Sequence, residues 1–262
     1  MKNIKSKARR KTSWNHVAGW YKRSVGEKGS YFHQEVIFPK LLRLMKLTTK
    51  NSVIDLGCGQ DVLARNVPQL ANYTGIDISP SLIDFAKENT PQGYCHFFVG
   101  DVGKPLDSMV EISAASFSHA TVVLALQNIE SVPSVLHNAS YYLQKGGRFY
   151  IVINHPVFRI PKLSSWGIDY EREIQYRRID KYLSPQKIAI DMHPGNKNES
   201  FVTTSFHYPL SYYTEKLAKA GFLIEQIEEW TSPKKSEGRY AVMENRARDE
   251  FPMFMCIVAV KQ

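Results

Sequence analysis

The sequence predicts an α/β fold, a mostly parallel sheet with helices on both faces. Three observations carry that expectation. The run Val53-Ile54-Asp55-Leu56-Gly57-Cys58-Gly59 is apolar and ends in a glycine pair. Tyr73-Thr74-Gly75-Ile76-Asp77 is a second such run and ends in an acid. His96 to Val99 then leads into Gly100-Asp101 in the same manner. Strands buried on both faces read as short continuous apolar runs, and parallel strands need crossovers between them.

The elements follow in order. Residues 1–13 form a basic tail, with Lys2, Lys5, Lys7, Arg9, Arg10 and Lys11 and no acid. Trp14 to Leu47 reads as a helical cover, residues 14–50 with its exit, broken at Gly26 to Ser30. Within it Val36, Ile37, Leu41, Leu44 and Met45 recur at helical spacing and predict one apolar face. A core of residues 51–154 supplies strands over Ser52–Leu56, Tyr73–Ile76, His96–Val99, Phe117–Leu124 and Arg148–Asn154, with helices between them. Ser79-Pro80 starts one helix as a cap followed by a first-turn proline. Gly146-Gly147 supplies the turn into the fifth strand. At the end, in residues 211–262, a helix over Tyr212–Ala220 stops at Gly221 and two strands follow, Phe222–Glu229 and Met253–Val260. That makes seven strands.

Residues 155–210 exceed what such a sheet needs. They are polar and aromatic, and Pro156, Pro161, Pro185, Pro194 and Pro209 break any long helix. They leave the sheet at the carboxyl end of a strand, where ligands bind and loops overhang. A lid is the expected role; a decorative extension or a contact surface between copies reads the same residues.

Composition bounds the rest. A chain of 262 residues with 43% hydrophobic content suits one elaborated domain. No run of eighteen apolar residues occurs, so no membrane-spanning helix is expected. Cys58, Cys95 and Cys256 are scattered and read as reduced thiols of a cytoplasmic protein. The net charge of +9 invites nucleic acid, but removing the six basic residues of the tail leaves only +3. That tail could hold RNA or serve as a solubilising arm. His155, His193 and His207 are spaced 38 and 14 apart, which matches no compact metal motif.

The glycine pair and the acid at Asp77 point to a nucleotide ligand. Glycine lets the backbone turn and approach a ligand closely, and Asp77 lies 22 positions beyond Asp55, where a nucleotide fold places its ribose carboxylate. A dinucleotide cofactor is disfavoured. Its third glycine falls on β-branched Val62, and Asp61 would repel a phosphate.

Asp55-Leu56-Gly57-Cys58-Gly59 resembles the first motif of class I S-adenosylmethionine-dependent methyltransferases. The same resemblance makes Gly75-Ile76-Asp77-Ile78-Ser79 the second motif and sets Asp101 and Val102 beside the adenine. It implies a Rossmann-like, seven-stranded sheet with an N-terminal helical cover and an inserted lid. It also implies a cofactor held by Tyr21, Asp55, Gly57, Cys58, Gly59, Asp77, Ile78, Asp101, Val102 and Val122. Val122 stands where relatives often place Ser or Asn, so its contact would be through backbone. Asp61 departs from the pattern, standing where many members have a third glycine. The lid stretch from His155 to Gly167 is similar to that of uncharacterised members.

Methyl transfer from a sulfonium mainly requires alignment and exclusion of water. Where the acceptor loses a proton, a base helps. His155, at the ligand edge, could be that base or a structural histidine. Gln127, Asn128, Tyr176 and His207 could contact the acceptor. Aromatic density in the lid fits a flat or apolar small molecule, and Arg177 with Arg178 suits an anion. Two alternatives stay open: an RNA or protein methyltransferase that uses the tail, and a nucleotide-binding protein without turnover.

Overall fold

The computed structural model describes residues 14, 19, 25, 26, 28–90, 93–191 and 202–262. The basic tail, Tyr21 and His193 lie outside the described residues, as does most of the cover before Gly26.

Seven strands form one sheet: β1 (Ser52–Leu56), β2 (Asn72–Asp77), β3 (Cys95–Val99), β4 (Phe117–Val123), β5 (Leu143–Asn154), β10 (Phe222–Trp230) and β11 (Phe254–Lys261). Their order is β10-β11-β5-β4-β1-β2-β3. Pairs among β1 to β5 are parallel, while β11 runs antiparallel between β5 and β10. The chain thus winds outward from β1 in one direction, then returns to begin the other half with β4. The carboxyl ends of β1 and β4 flank that reversal, and ligands bind where the order reverses.

Alternation along the strands divides two cores. Ile54, Leu56, Ile151 and Ile153 face one side with α3 (Val132–Tyr142) and α4 (Leu210–Lys219). Val53, Tyr150 and Val152 face the other with α1 (Phe38–Met45) and α2 (Pro80–Asn89). A π turn over His33–Ile37 precedes α1. Pro39 has no N–H to give the carbonyl four residues back, and the Phe38 N–H instead reaches the His33 carbonyl.

Two expected crossover helices are absent. Residues 57–71 and 100–116 connect their strands through successive turns. In the first, Asp61 adopts a positive φ of 61°, which interrupts any right-handed helix. Strand β5 begins earlier than expected, at Leu143, and a register shift facing Gly146-Gly147 turns the expected entry loop into a bulge.

The insertion is two antiparallel hairpins, which its composition did not suggest. β6 (Ser164–Asp169) pairs with β7 (Ile174–Ile179), and β8 (Gln186–Asp191) pairs with β9 (Val202–His207). The first packs on α5 (Ala241–Glu250) and its flanks, with Trp166 edge-on to Phe251 and Tyr170 to Tyr240. The second rests on the 3-10 turn Leu126–Asn128 after β4, and the Lys187–Glu130 ion pair at 2.9 Å ties it there. No helix among the described residues is long and apolar enough to cross a membrane.

Because β11 joins β5 to β10 and is buried on both faces, truncating Ile257, fully buried, to alanine is expected to cost about 2–5 kcal/mol. Urea unfolding would register this as a lower midpoint at unchanged slope.

Candidate functional site

The β1 turn is held from beneath by β2. The Gly57 and Cys58 amides both donate to the Ile76 carbonyl, at 2.8 and 3.0 Å. Gly57 and Gly59 have φ of 79° and 59°, values that favour glycine. A Cβ on Gly57 would meet the Ala125 Cβ at 2.8 Å. The β1 turn and the β4 exit are therefore in contact, as the strand order requires.

Asp77 binds this arrangement together. One carboxylate oxygen accepts the Gly59 amide at 3.0 Å and the other accepts the Ser79 amide at 2.9 Å. Burial raises its pKa, opposed by those two amide hydrogen bonds. A carboxylate offers about four lone-pair positions, so two acceptor positions remain. Beside it Ile78 is 48% exposed and Val99, opposite Asp77 in register, is 50% exposed. Together they present apolar surface next to a hydrogen-bond acceptor.

Asp55 faces inward. It accepts the Thr121 hydroxyl at 2.7 Å and the Tyr73 hydroxyl at 3.0 Å. Burial pushes its pKa up to about 6, with the two hydroxyls working against the shift. It shapes the turn from below. Asp61 is wholly buried, and burial followed by the nearby Asp55 charge raises its pKa well above the carboxylate range. Its positive φ shows that this acid keeps the backbone shape a third glycine would have. Cys58 lies against Gly75, and burial and neighbouring acids push its thiol well up, so it is an inert filler.

Asp101 sits past β3 with one oxygen on the Gly103 amide at 3.0 Å and the other 3.3 Å from the Lys104 ammonium. Val102 and Val122 are core side chains, 5% and 0% exposed. Only their backbone could meet a ligand, as expected for Val122 and newly evident for Val102.

At the β4 exit Leu124 takes a positive φ of 52°, a strained value for a branched side chain and typical of ligand sites. Its carbonyl accepts the side-chain amides of Gln127 and Asn128 at 2.9 and 3.2 Å. Gln127 turns its Oε1 into a buried position with no partner. It borders a small, open cleft shared with Asn154, Arg159, Phe206, His207 and Tyr213.

The two candidate histidines differ in their ring nitrogens. His155 Nε2 lies 2.7 Å from Glu229, and its Nδ1 accepts the Val157 and Phe158 amides at 3.2 and 3.3 Å. Both nitrogens are engaged within the protein, an arrangement that folds the chain as it leaves β5. His207, 5% exposed, donates Nε2–H to the Tyr182 carbonyl at 2.7 Å. A carbonyl only accepts, so Nδ1 is the unprotonated nitrogen, and no partner faces it among the described residues. Burial lowers the pKa of this ring. Tyr176 lies apart from the pocket, half exposed on β7 and covering Gly167 of β6. Arg159, a pocket residue, was not singled out from the sequence; only its place just after the β5 exit marked it.

Residues 47–173 match a family model described as a methyltransferase domain. An uncharacterised methyltransferase of Schizosaccharomyces pombe is 30% identical over 198 residues, covering 74% of this chain and 67% of the relative. A demethylmenaquinone methyltransferase of Chlamydia pneumoniae is 28% identical over 123 residues, 43% of this chain and half of that relative's length. In fold, an S-adenosylmethionine-dependent methyltransferase of Mesorhizobium loti superposes with a TM-score of 0.63 at 24% identity, covering 85% of this chain and 96% of that one.

Two outcomes follow from this geometry. Gly57→Ala combines a left-handed backbone with the approach to Ala125 and is expected to destabilise by about 2 kcal/mol, read as a lower midpoint in thermal unfolding. Asp55 has a folded pKa above its unfolded one, so its contribution is complete below about pH 4 and is lost as pH rises through about 6. Unfolding free energies of wild type minus Asp55→Asn, measured from about pH 4 to about pH 6, should fall by on the order of 2–3 kcal/mol.

Proposed function

Because the chain belongs to the class I S-adenosylmethionine-dependent methyltransferases, we propose that it methylates a small molecule held between the β4 exit and the second hairpin. One observation carries the acceptor assignment: the cleft beside Gln127, two positions past the Ala125 that lies against the β1 turn, contains a histidine with an uncommitted ring nitrogen.

The residues present suit the cofactor. The left-handed Gly57 and Gly59 carry no side chain over the turn, and Asp77 keeps acceptor positions for ribose hydroxyls. Ile78 and the surroundings of Asp101 and the Val102 backbone offer the adenine an apolar edge. The methionine end would then face Leu124 and the Val122 backbone. Bound there, S-adenosylmethionine supplies a methyl group on a cationic sulfur that leaves as a neutral thioether.

The chain's own contribution is placement and proton removal. Gln127 Oε1 orients a donor on the acceptor, and Phe206 with Tyr213 excludes water from one side. His207 Nδ1 receives the acceptor's proton, while the Tyr182 carbonyl holds the ring in the tautomer that keeps this nitrogen bare. The three free cysteines suit a reducing cytoplasm, where we place the protein.

Asp77→Ala is expected to weaken S-adenosylhomocysteine binding by about ten-fold or more, measured by calorimetry on protein whose circular dichroism is unchanged. An unaltered affinity would remove Asp77 from the ribose site. His207→Gln should leave that affinity intact and lower turnover by about a hundred-fold or more, read as S-adenosylhomocysteine release over a panel of phenols, amines and carbon acids. Wild-type turnover should rise with pH through a pKa below the ordinary 6.5 of histidine, since burial favours the neutral ring. A variant that kept both rate and pH limb would rule His207 out as the base.

A further inference from the structure

Arg159 is the unexplained charge of the acceptor pocket. It leaves β5 five residues past its end, lies across the Phe254 ring at 5.2 Å, and lines the same space as Gln127 and His207. Its Nη1 is buried with no hydrogen-bond partner. No carboxylate forms an ion pair with it among the described residues. The neighbouring charge is of the same sign: Arg177, whose Nε donates to the Phe158 carbonyl at 2.7 Å and whose Nη2 donates to Ser164 Oγ at 2.8 Å. Arg177 also stacks on Trp166 at 5.0 Å. Its needs are met within the protein, and those of Arg159 are not.

A desolvated guanidinium with a bare N–H is costly unless something pairs with it. Burial and the Arg177 charge both act against the charged form of Arg159. Arginine nevertheless stays protonated in proteins, so the cost persists until an anion arrives. The same cleft is lined by Gln127, whose Oε1 is a bare acceptor that asks for a donor. Phe206, Pro156, Pro161 and Tyr213 are the apolar members of the cleft lining.

Building on the acceptor assignment proposed above, we infer that the methyl acceptor is a small anionic molecule. Its carboxylate or phosphate pairs with Arg159, its body packs on Phe206 and the two prolines, and a hydroxyl or amine faces Gln127. Arg159 is thus a specificity residue, reading the charge of the acceptor at one end while His207 acts at the other. Planar donors on a guanidinium suit a carboxylate or phosphate, which can be held through two oxygens.

The test uses protein saturated with S-adenosylhomocysteine and three probes of one shape: benzoate, phenyl phosphate and benzamide. Affinities are measured by calorimetry for wild type, Arg159→Met and Arg159→Lys. At least one anionic probe should bind wild type about ten-fold or more tightly than benzamide. Arg159→Met should reduce that probe to the level of benzamide, and Arg159→Lys should retain part of the preference. Unchanged S-adenosylhomocysteine affinity in each variant certifies the fold. Equal binding of charged and neutral probes to wild type, or an undiminished preference in Arg159→Met, overturns the anionic acceptor and leaves the pocket as an acceptor site. Failure of all three probes to bind overturns the pocket assignment as well, with the cofactor reading untouched.

Discussion

A single carboxylate secures this site. Asp77 ends β2, yet its two oxygens reach the amide of the β1 turn and the amide that opens α2. The same strand offers the Ile76 carbonyl to the Gly57 and Cys58 amides. The left-handed glycines, the end of one strand and the start of the next helix are thereby fixed relative to one another. A loop with several conformations would have to pay ordering entropy on binding; this one meets its ligand already shaped. The contact of Gly57 with Ala125 carries that order across to β4, and hence to Gln127 and the pocket.

Below the turn, three aspartates share a small buried volume. Asp55, Asp61 and Asp77 all have raised pKa values, with burial as the leading cause in each case. Their fates differ through their partners. Asp55 spends both oxygens on Thr121 and Tyr73, and Asp77 spends its oxygens on backbone amides. Asp61 supplies its backbone shape rather than a ligand contact. This resolves the departure at the third glycine: aspartate is among the few non-glycine residues that adopt a left-handed conformation at modest cost.

The sheet was legible because its signals are local. Apolar runs closed by Gly57, Asp77 and Asp101 locate the strand ends, and β11 is apolar along both faces as expected. The hairpins were hidden for a physical reason. β7 alternates exposed and half-buried residues, so its pattern Ile174–Ile179 carries no core-facing stripe. Helix α5 buries only Met243 and Ala247, too little for helical periodicity to stand out. The missing crossover helix over 57–71 reflects a backbone choice at Asp61 that composition does not report. Among candidate site residues, the acid Asp77 and the turn glycines could be read from spacing. The difference between His155 and His207 could not, because it rests on Glu229 and Tyr182, partners 74 and 25 residues away in the chain. Arg159 was illegible for the same reason: what marks it is the absence of a partner, which only packing reveals.

The second hairpin carries His207, and the Tyr182 carbonyl that orients it belongs to the same insertion. The proposed cofactor cradle belongs to strands β1 and β2, inside the sheet. On the proposed assignment, affinity and turnover reside in parts of unequal thermal resistance: a sheet buried on both faces for the first, and two short strands tied down by Glu130 for the second. Warming would loosen the latter first. The optimum temperature of the reaction then falls below the melting point of the domain, and a heated sample would still take up S-adenosylmethionine after it had ceased to use it.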